Sequence, residues 1–149
     1  MIAWKYINKN SAVIAAIRDY HNMRFIINNT PEEIKEVYER MTAPRRAKLT
    51  GLPPSKNPQS ESDKLAEQID KLDVLRERYS SAVEYMAWFE PAWSSMTDTE
   101  QRILAEFYMG DNKKTGATYR LITELNYSES HVERMRSNAL NRLRVLLYG

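Results

Sequence analysis

Apolar side chains recur every three or four residues over most of the chain, which is the spacing of one face of an α-helix. The first such stretch covers about residues 11–28, and its apolar positions are Val13, Ile14, Ile17, Tyr20 and Met23. A new helix start follows, in which Thr30 suits the N-cap, Pro31 the first helical position and Glu33 a capping box. The sequence therefore predicts two N-terminal helices, and Pro44 should end the second.

The clearest periodicity lies between about Ser62 and Phe89. Its apolar positions follow a heptad stripe that Arg76 interrupts, and they are Leu65, Ile69, Leu72, Tyr79, Val83 and Met86, flanked by Leu75, Ala82 and Phe89. Pro91 is expected to end this long helix. An apolar stripe of this length has to be buried against the N-terminal helices, a second copy of the chain, or both.

The segment between these helices is predicted to be a linker, because four prolines, one glycine and several serines leave few apolar residues for a core. Its basic residues are interpreted as part of a solvated loop rather than as phosphate contacts. The predicted organisation is an N-terminal helical segment (1–43), a Pro/Ser-rich linker (44–61), a long heptad-like helix (62–92) and a C-terminal domain (93–149).

The C-terminal domain has the most informative local signals. Thr97 and Glu100 are spaced as a capping box before a helix that should bury Ile103, Leu104 and Phe107, with Tyr108 beside them. Two more helices are predicted, at about 118–125 and 129–147. Asn126 between them suits a left-handed turn, and Ser128 suits the N-cap of the last helix. A short helix, a tight turn and a longer capped helix are typical of a helix-turn-helix.

Projection of the last helix at about 100° per residue separates a core face from a polar face. The core face contains Val132, Ala139 and Leu143, flanked by Met135, Leu140, Leu146 and Leu147. In a helix-turn-helix the start of the polar face enters the major groove, where Arg134 can donate two hydrogen bonds to guanine and Ser130 can bond either type of base. The candidate DNA-binding residues are Ser128, Glu129, Ser130, His131, Glu133, Arg134, Ser137, Lys113, Lys114, Arg142 and Arg144. Arg142 and Arg144, like Arg136, are better placed for phosphate than for bases.

The run from Ser128 to Arg144 resembles the recognition helix of sigma-factor region four in its capping hydroxyl, its early valine and its Ala-Leu-x-x-Leu ending. The run from Met96 to Leu104 resembles the opening of the same domain. The sequence departs from the usual sigma pattern by carrying Glu129 and Glu133 where arginines are common. The resemblance covers about a third of the chain and implies a sigma-like helix-turn-helix in an all-α protein.

The whole layout is similar to the RinA/ArpU-type regulators of phage late genes, in which a Pro/Ser/Gly linker precedes a long helix that begins like Asp63-Lys64-Leu65-Ala66. This resemblance implies a DNA-binding transcriptional regulator, an activator, in the cytoplasm of a bacterial host. The partners it implies are double-stranded DNA, RNA polymerase and a second copy of the chain. The DNA site, the sign of regulation and the oligomeric state stay open.

Charge and composition narrow the function classes. The net charge is only +2, and residues 61–96 carry eight acidic against four basic side chains, so this middle segment should not lie along a phosphate backbone. The chain has no cysteine and two distant histidines, and no nucleophile motif or phosphate-cradling glycine loop, so neither an enzyme nor a metal or cofactor site is expected. No apolar run is long enough to span a membrane. A small terminase subunit and a protein-interaction module remain alternatives.

Overall fold

The computed structural model describes residues 8–43, 59–110 and 116–149. These residues form five α-helices and no strand, which confirms the all-α class: α1 Lys9–Thr42, α2 Gln59–Ser94, α3 Asp98–Tyr108, α4 Ala117–Leu125 and α5 Glu129–Tyr148. The predicted linker lies outside the described residues except for its last three, which belong to α2. Lys113 and Lys114 also lie outside the described residues.

The prediction of two separate N-terminal helices is wrong, because α1 continues through Pro31 as one helix. Thr30 is therefore not an N-cap; it is a fully buried residue inside the helix. A proline inside a helix removes one backbone hydrogen bond and crowds the carbonyl four residues earlier. Side chains before and after Pro31, such as Ile17 and Val37, are fully or almost fully buried. Packing along α1 thus overrides the local start signal.

The long central helix forms as predicted, but Pro91 does not end it and α2 continues to Ser94. The buried line of α2 also differs from the predicted stripe, since it consists of Leu72, Leu75, Ala82, Phe89, Ala92 and Trp93. Leu65, Ile69 and Val83 are exposed instead. All three residues predicted to flank the heptad stripe are therefore buried, whereas half of the stripe itself faces solvent and only Leu72 of it is fully packed.

The chain divides into two compact units, and the division falls within both α1 and α2. The first unit comprises residues 1–24 and 84–149, and its core joins side chains from every helix: Val13, Ala16, Ile17, Tyr20, Phe89, Ala92, Trp93, Met96, Ile103, Leu104, Phe107, Tyr108, Ala117, Leu121, Val132, Ala139 and Leu143. The second unit comprises residues 25–83. Its smaller core is made of Val37, Leu72 and Leu75, with Ile34 and Met41 packed beside them.

Candidate nucleic-acid interface

The first unit contains the three short helices that the sequence singled out. The Thr97 hydroxyl accepts a hydrogen bond from the Glu100 N–H at 3.3 Å and donates one to Glu100 Oε1 at 3.0 Å, which confirms the predicted helix start. Helix α3 buries Ile103, Leu104, Phe107 and Tyr108 as expected. Helices α3, α4 and α5 each contact the other two.

The connection between α4 and α5 has the predicted geometry. Asn126 lies in the left-handed region at φ 56° and ψ 34°, and its N–H donates to the Ile122 carbonyl at 3.0 Å. Ser128 then caps α5 by accepting a hydrogen bond from the His131 N–H at 3.3 Å. Both predictions are confirmed. The cap satisfies one of the free N–H groups of the first turn and fixes where α5 begins.

The two faces of α5 also separate as predicted. Val132, Ala139 and Leu143 are buried in the core of the first unit, whereas Leu146, expected on the flank of that face, is exposed. Every candidate on the polar face is at least partly open to solvent. Ser128, Glu129, Ser130, Arg134 and Ser137 are exposed, and His131 and Glu133 are half-buried.

Contacts among these side chains leave one arginine free on the polar face. Arg136 pairs with Glu133 at 2.6 Å, and its guanidinium lies 4.8 Å from the centre of the Phe107 ring. The His131 ring packs edge-on against Tyr127 with centroids 4.6 Å apart. Arg134 makes no hydrogen bond or ion pair with any residue that the structure describes. Its five N–H donors are therefore available to an external acceptor.

The two candidate phosphate contacts near the end of α5 are less available. Arg142 donates to Glu100 Oε1 at 2.6 Å and to the Ser95 carbonyl at 3.2 Å. The Nε atom of Arg144 is buried and has no hydrogen-bond partner among the described residues. A phosphate contact by Arg142 would require its ion pair with Glu100 to open, and one by Arg144 would have to use its Nη groups rather than the buried Nε.

Sequence reasoning missed an ion-pair group that joins α3 to α4. Arg102 pairs with Glu124 at 2.5 Å and with Glu106 at 3.8 Å, and Glu106 also pairs with Arg120. The hydrogen bond that Arg102 donates to the Glu124 carboxylate raises the pKa of Arg102. The two pairs that join the helices, Glu106 with Arg120 and Arg102 with Glu124, are 14 and 22 residues apart in the chain, so local spacing could not reveal them.

Two other findings bear on the kind of site. Within residues 8–43, 59–110 and 116–149, acidic and histidine side chains are nowhere grouped in threes so as to hold a metal ion. None of the described helices is long and apolar enough to cross a membrane.

Comparison of the chain with protein-family models, with curated proteins and with solved structures gives no match.

Proposed function

We propose that this protein binds double-stranded DNA through a helix-turn-helix made of α4 and α5, and that the start of α5 enters the major groove. The observation that carries the proposal is the polar face of α5, which follows a left-handed turn at Asn126 and a Ser128 cap and presents exposed hydrogen-bonding side chains. A helix of this kind is the usual reading element of a helix-turn-helix.

Arg134 is the principal base-reading residue in this proposal. Its guanidinium is exposed and free of partners among the described residues, so it can donate two parallel hydrogen bonds to the O6 and N7 atoms of guanine. Ser130 and Ser137 lie on the same face and can bond to either type of base. Glu133 faces the same side, and its ion pair with Arg136 reduces the repulsion between this carboxylate and DNA.

Transcriptional regulation of phage or prophage genes is the role that this DNA binding would serve. Support for it comes from the resemblance to sigma-factor region four and to RinA/ArpU-type regulators, and activation rests on that resemblance alone. Glu129 lies in the first turn of α5, where it repels phosphate, so binding by one copy should be weak. A second bound copy or a contact with RNA polymerase would add a linked binding event and raise the affinity.

Selection of bound sequences from random duplex DNA at a stated ionic strength tests the proposal. The wild-type chain should enrich a short motif, and Arg134→Ala should lose about 1–3 kcal/mol of binding free energy on that motif and relax one base position. Arg18→Ala removes the same charge from an exposed position on α1 and should leave the motif unchanged. If no sequence is enriched and low salt gives no binding, the helix pair serves protein interaction instead.

A reporter driven by the promoter nearest an enriched site then tests regulation. Wild-type protein should change the output, and Arg134→Ala should abolish the change. If the intact protein binds the site while the output stays constant, the regulatory proposal fails and DNA packaging by a small terminase subunit becomes the leading alternative.

A further inference from the structure

The second unit has an exposed apolar row on α2. Leu65, Ile69 and Val83 are 47%, 45% and 41% exposed. At about 100° per residue, positions 65 and 83 share one line along the helix and position 69 lies about 40° from it. The row extends over about 27 Å at the rise of an α-helix, which is about five turns. It lies beside the buried line of Leu72 and Leu75, which packs on Val37 of α1.

An acidic flank borders this row on the side away from the buried line. Asp73, Glu77 and Asp70 lie about 80°, 120° and 140° from the line through Leu65, all in the same direction. All three side chains are exposed, and none forms an ion pair with a described residue. Their spacing of three and four residues keeps the negative charge on one side of the row over two turns of α2.

The basic residue within the row is directed toward α1. Arg76 donates a hydrogen bond to the Tyr38 hydroxyl, and its guanidinium lies 5.6 Å from the centre of the Tyr38 ring. This contact directs the guanidinium toward Tyr38, and Arg76 forms no ion pair with Asp73 or Glu77. The surface therefore combines an apolar row with a one-sided, uncompensated acidic flank.

We infer that this face of α2 binds an amphipathic helix of another protein, one whose apolar stripe carries lysine or arginine along one side. Such a helix would bury Leu65, Ile69 and Val83, and its basic side chains would meet the acidic flank. Charges that border an apolar stripe select the partner and its orientation in paired helices. Antiparallel pairing of α2 with a second copy is disfavoured, because it would bring the two acidic flanks together.

A binding experiment on the full chain uses a labelled synthetic peptide of about three heptads, with leucine at the a and d positions and lysine on one flank. A matched peptide replaces each lysine with glutamate. Fluorescence anisotropy should show that the lysine peptide binds at least about tenfold more tightly than the glutamate peptide. Equal affinity for the two peptides, or no binding of either, would overturn the inference.

Four variants locate the binding face. Ile69→Ser should weaken binding of the lysine peptide about fivefold or more, whereas Val74→Ser, at a 64% exposed position on the far side of α2, should change it less than about twofold. Asp73→Lys should remove most of the preference for the lysine peptide. Glu67→Lys makes the same charge change on a side of α2 about 200° from the row, and it should leave the preference for the lysine peptide intact. Equal effects within either pair would contradict the inference.

Sedimentation equilibrium tests whether a second copy of the chain, rather than another protein, binds this face of α2. We expect the chain to show no self-association that depends on Ile69. A dimer that Ile69→Ser dissociates and Val74→Ser leaves intact would assign this face to self-association and overturn the proposed partner. Because neither experiment includes DNA, their outcome is independent of the function proposed for α5.

Discussion

Arg142 and Glu100 lie 42 residues apart in the chain, yet Arg142 Nη1 donates to Glu100 Oε1 at 2.6 Å. The same carboxylate accepts from the Thr97 hydroxyl that caps α3, and Arg142 Nη2 reaches the Ser95 carbonyl. One arginine of α5 thus holds the N-terminal turn of α3 and the residue that follows α2. The contact links the start of the three-helix group to its last helix.

This link predicts a measurable coupling between the two residues. Arg142→Ala should lower the free energy of unfolding by about 1 kcal/mol, a modest loss because the arginine is partly exposed and screened. In a double-mutant cycle with Glu100→Ala, urea unfolding should give a coupling energy of about 0.5 kcal/mol or more. Additive losses would show that the pair contributes nothing beyond the Thr97 cap.

The core of the first unit predicts that α1 stabilises the helices of the candidate interface. Ile17 is fully buried in the same cluster as Leu121 and Val132. Ile17→Ala should therefore lower the free energy of unfolding by about 2–5 kcal/mol, measured by urea denaturation. Arg18→Ala, one residue further on the exposed side of α1, is the control and should change it by less than about 0.5 kcal/mol. If both variants lower the free energy of unfolding only slightly, α1 does not contribute to the stability of this core.

The buried hydroxyl of Thr30 predicts a stabilising substitution. Its Oγ1 atom is buried and has no hydrogen-bond partner among the described residues. Thr30→Val removes an unsatisfied polar group and keeps the branched shape, so we expect the free energy of unfolding to rise by about 1 kcal/mol. Thr42→Val is the matched control, because the Thr42 hydroxyl donates to the Tyr38 carbonyl at 2.9 Å. Destabilisation by Thr30→Val would indicate that a water satisfies this hydroxyl.

Thr30 also shows where sequence reasoning fails. The start of α3, the Asn126 turn and the Ser128 cap were predictable because each depends on residues within four positions of one another. Thr30 and Pro31 give an equally good local signal, but packing on both sides keeps α1 continuous. Pro91 gave the same false end to α2. The heptad spacing of α2 located the helix correctly, but it could not show which side would face α1.

The same distinction applies to the candidate interface. The polar face of α5 follows from periodicity alone, so its exposed residues were predictable. The ion pairs of Arg142 and Arg102 depend on how α3, α4 and α5 pack, and their partners are distant in sequence. Sequence therefore identified the residues with suitable donors, and the structure shows that Arg134 is free to use them and Arg142 is not.

Tyr85 predicts a loss of stability at high pH. Its hydroxyl donates to the Ala16 carbonyl, and burial, followed by the nearby Asp19 charge, raises the pKa of Tyr85 above the ordinary value of 10.0. The unfolded chain loses this proton first, so the contribution of Tyr85 to stability is fully present below about pH 10 and falls as the pH rises above it.

Titration of tyrosinate absorbance, followed together with helical circular dichroism, checks this prediction. Burial also raises the pKa of Tyr148, so both side chains should titrate late. Tyr85→Phe should reduce the amplitude of the late phase and lower the free energy of unfolding at neutral pH by about 1 kcal/mol. Tyr119→Phe, at a 73% exposed position, is the control and should change the free energy of unfolding at neutral pH by less than about 0.5 kcal/mol. An unchanged late phase in Tyr85→Phe would contradict the assignment.

The left-handed turn at Asn126 is expected to affect both the stability of the three-helix group and its proposed binding to DNA. Asn126 holds φ 56°, a left-handed conformation that costs a residue with a Cβ about 1–2 kcal/mol unless it is asparagine or aspartate. Asn126→Ala should therefore lower the free energy of unfolding by about 1 kcal/mol, whereas Asn126→Gly should leave it nearly unchanged. Urea unfolding of the two variants gives the comparison, and equal stability of alanine and wild type would show that the turn is unstrained.

The same two variants test whether this turn positions α5 for DNA. At a temperature where both are fully folded, Asn126→Gly keeps the left-handed turn and should bind the selected duplex as wild type does. Asn126→Ala favours a different backbone at this position, which changes the angle at which α5 leaves α4, so its affinity should fall while its non-specific binding at low salt stays the same. If the two variants bind the duplex equally, the angle between α4 and α5 does not control recognition, and Arg134 contacts its target by another arrangement.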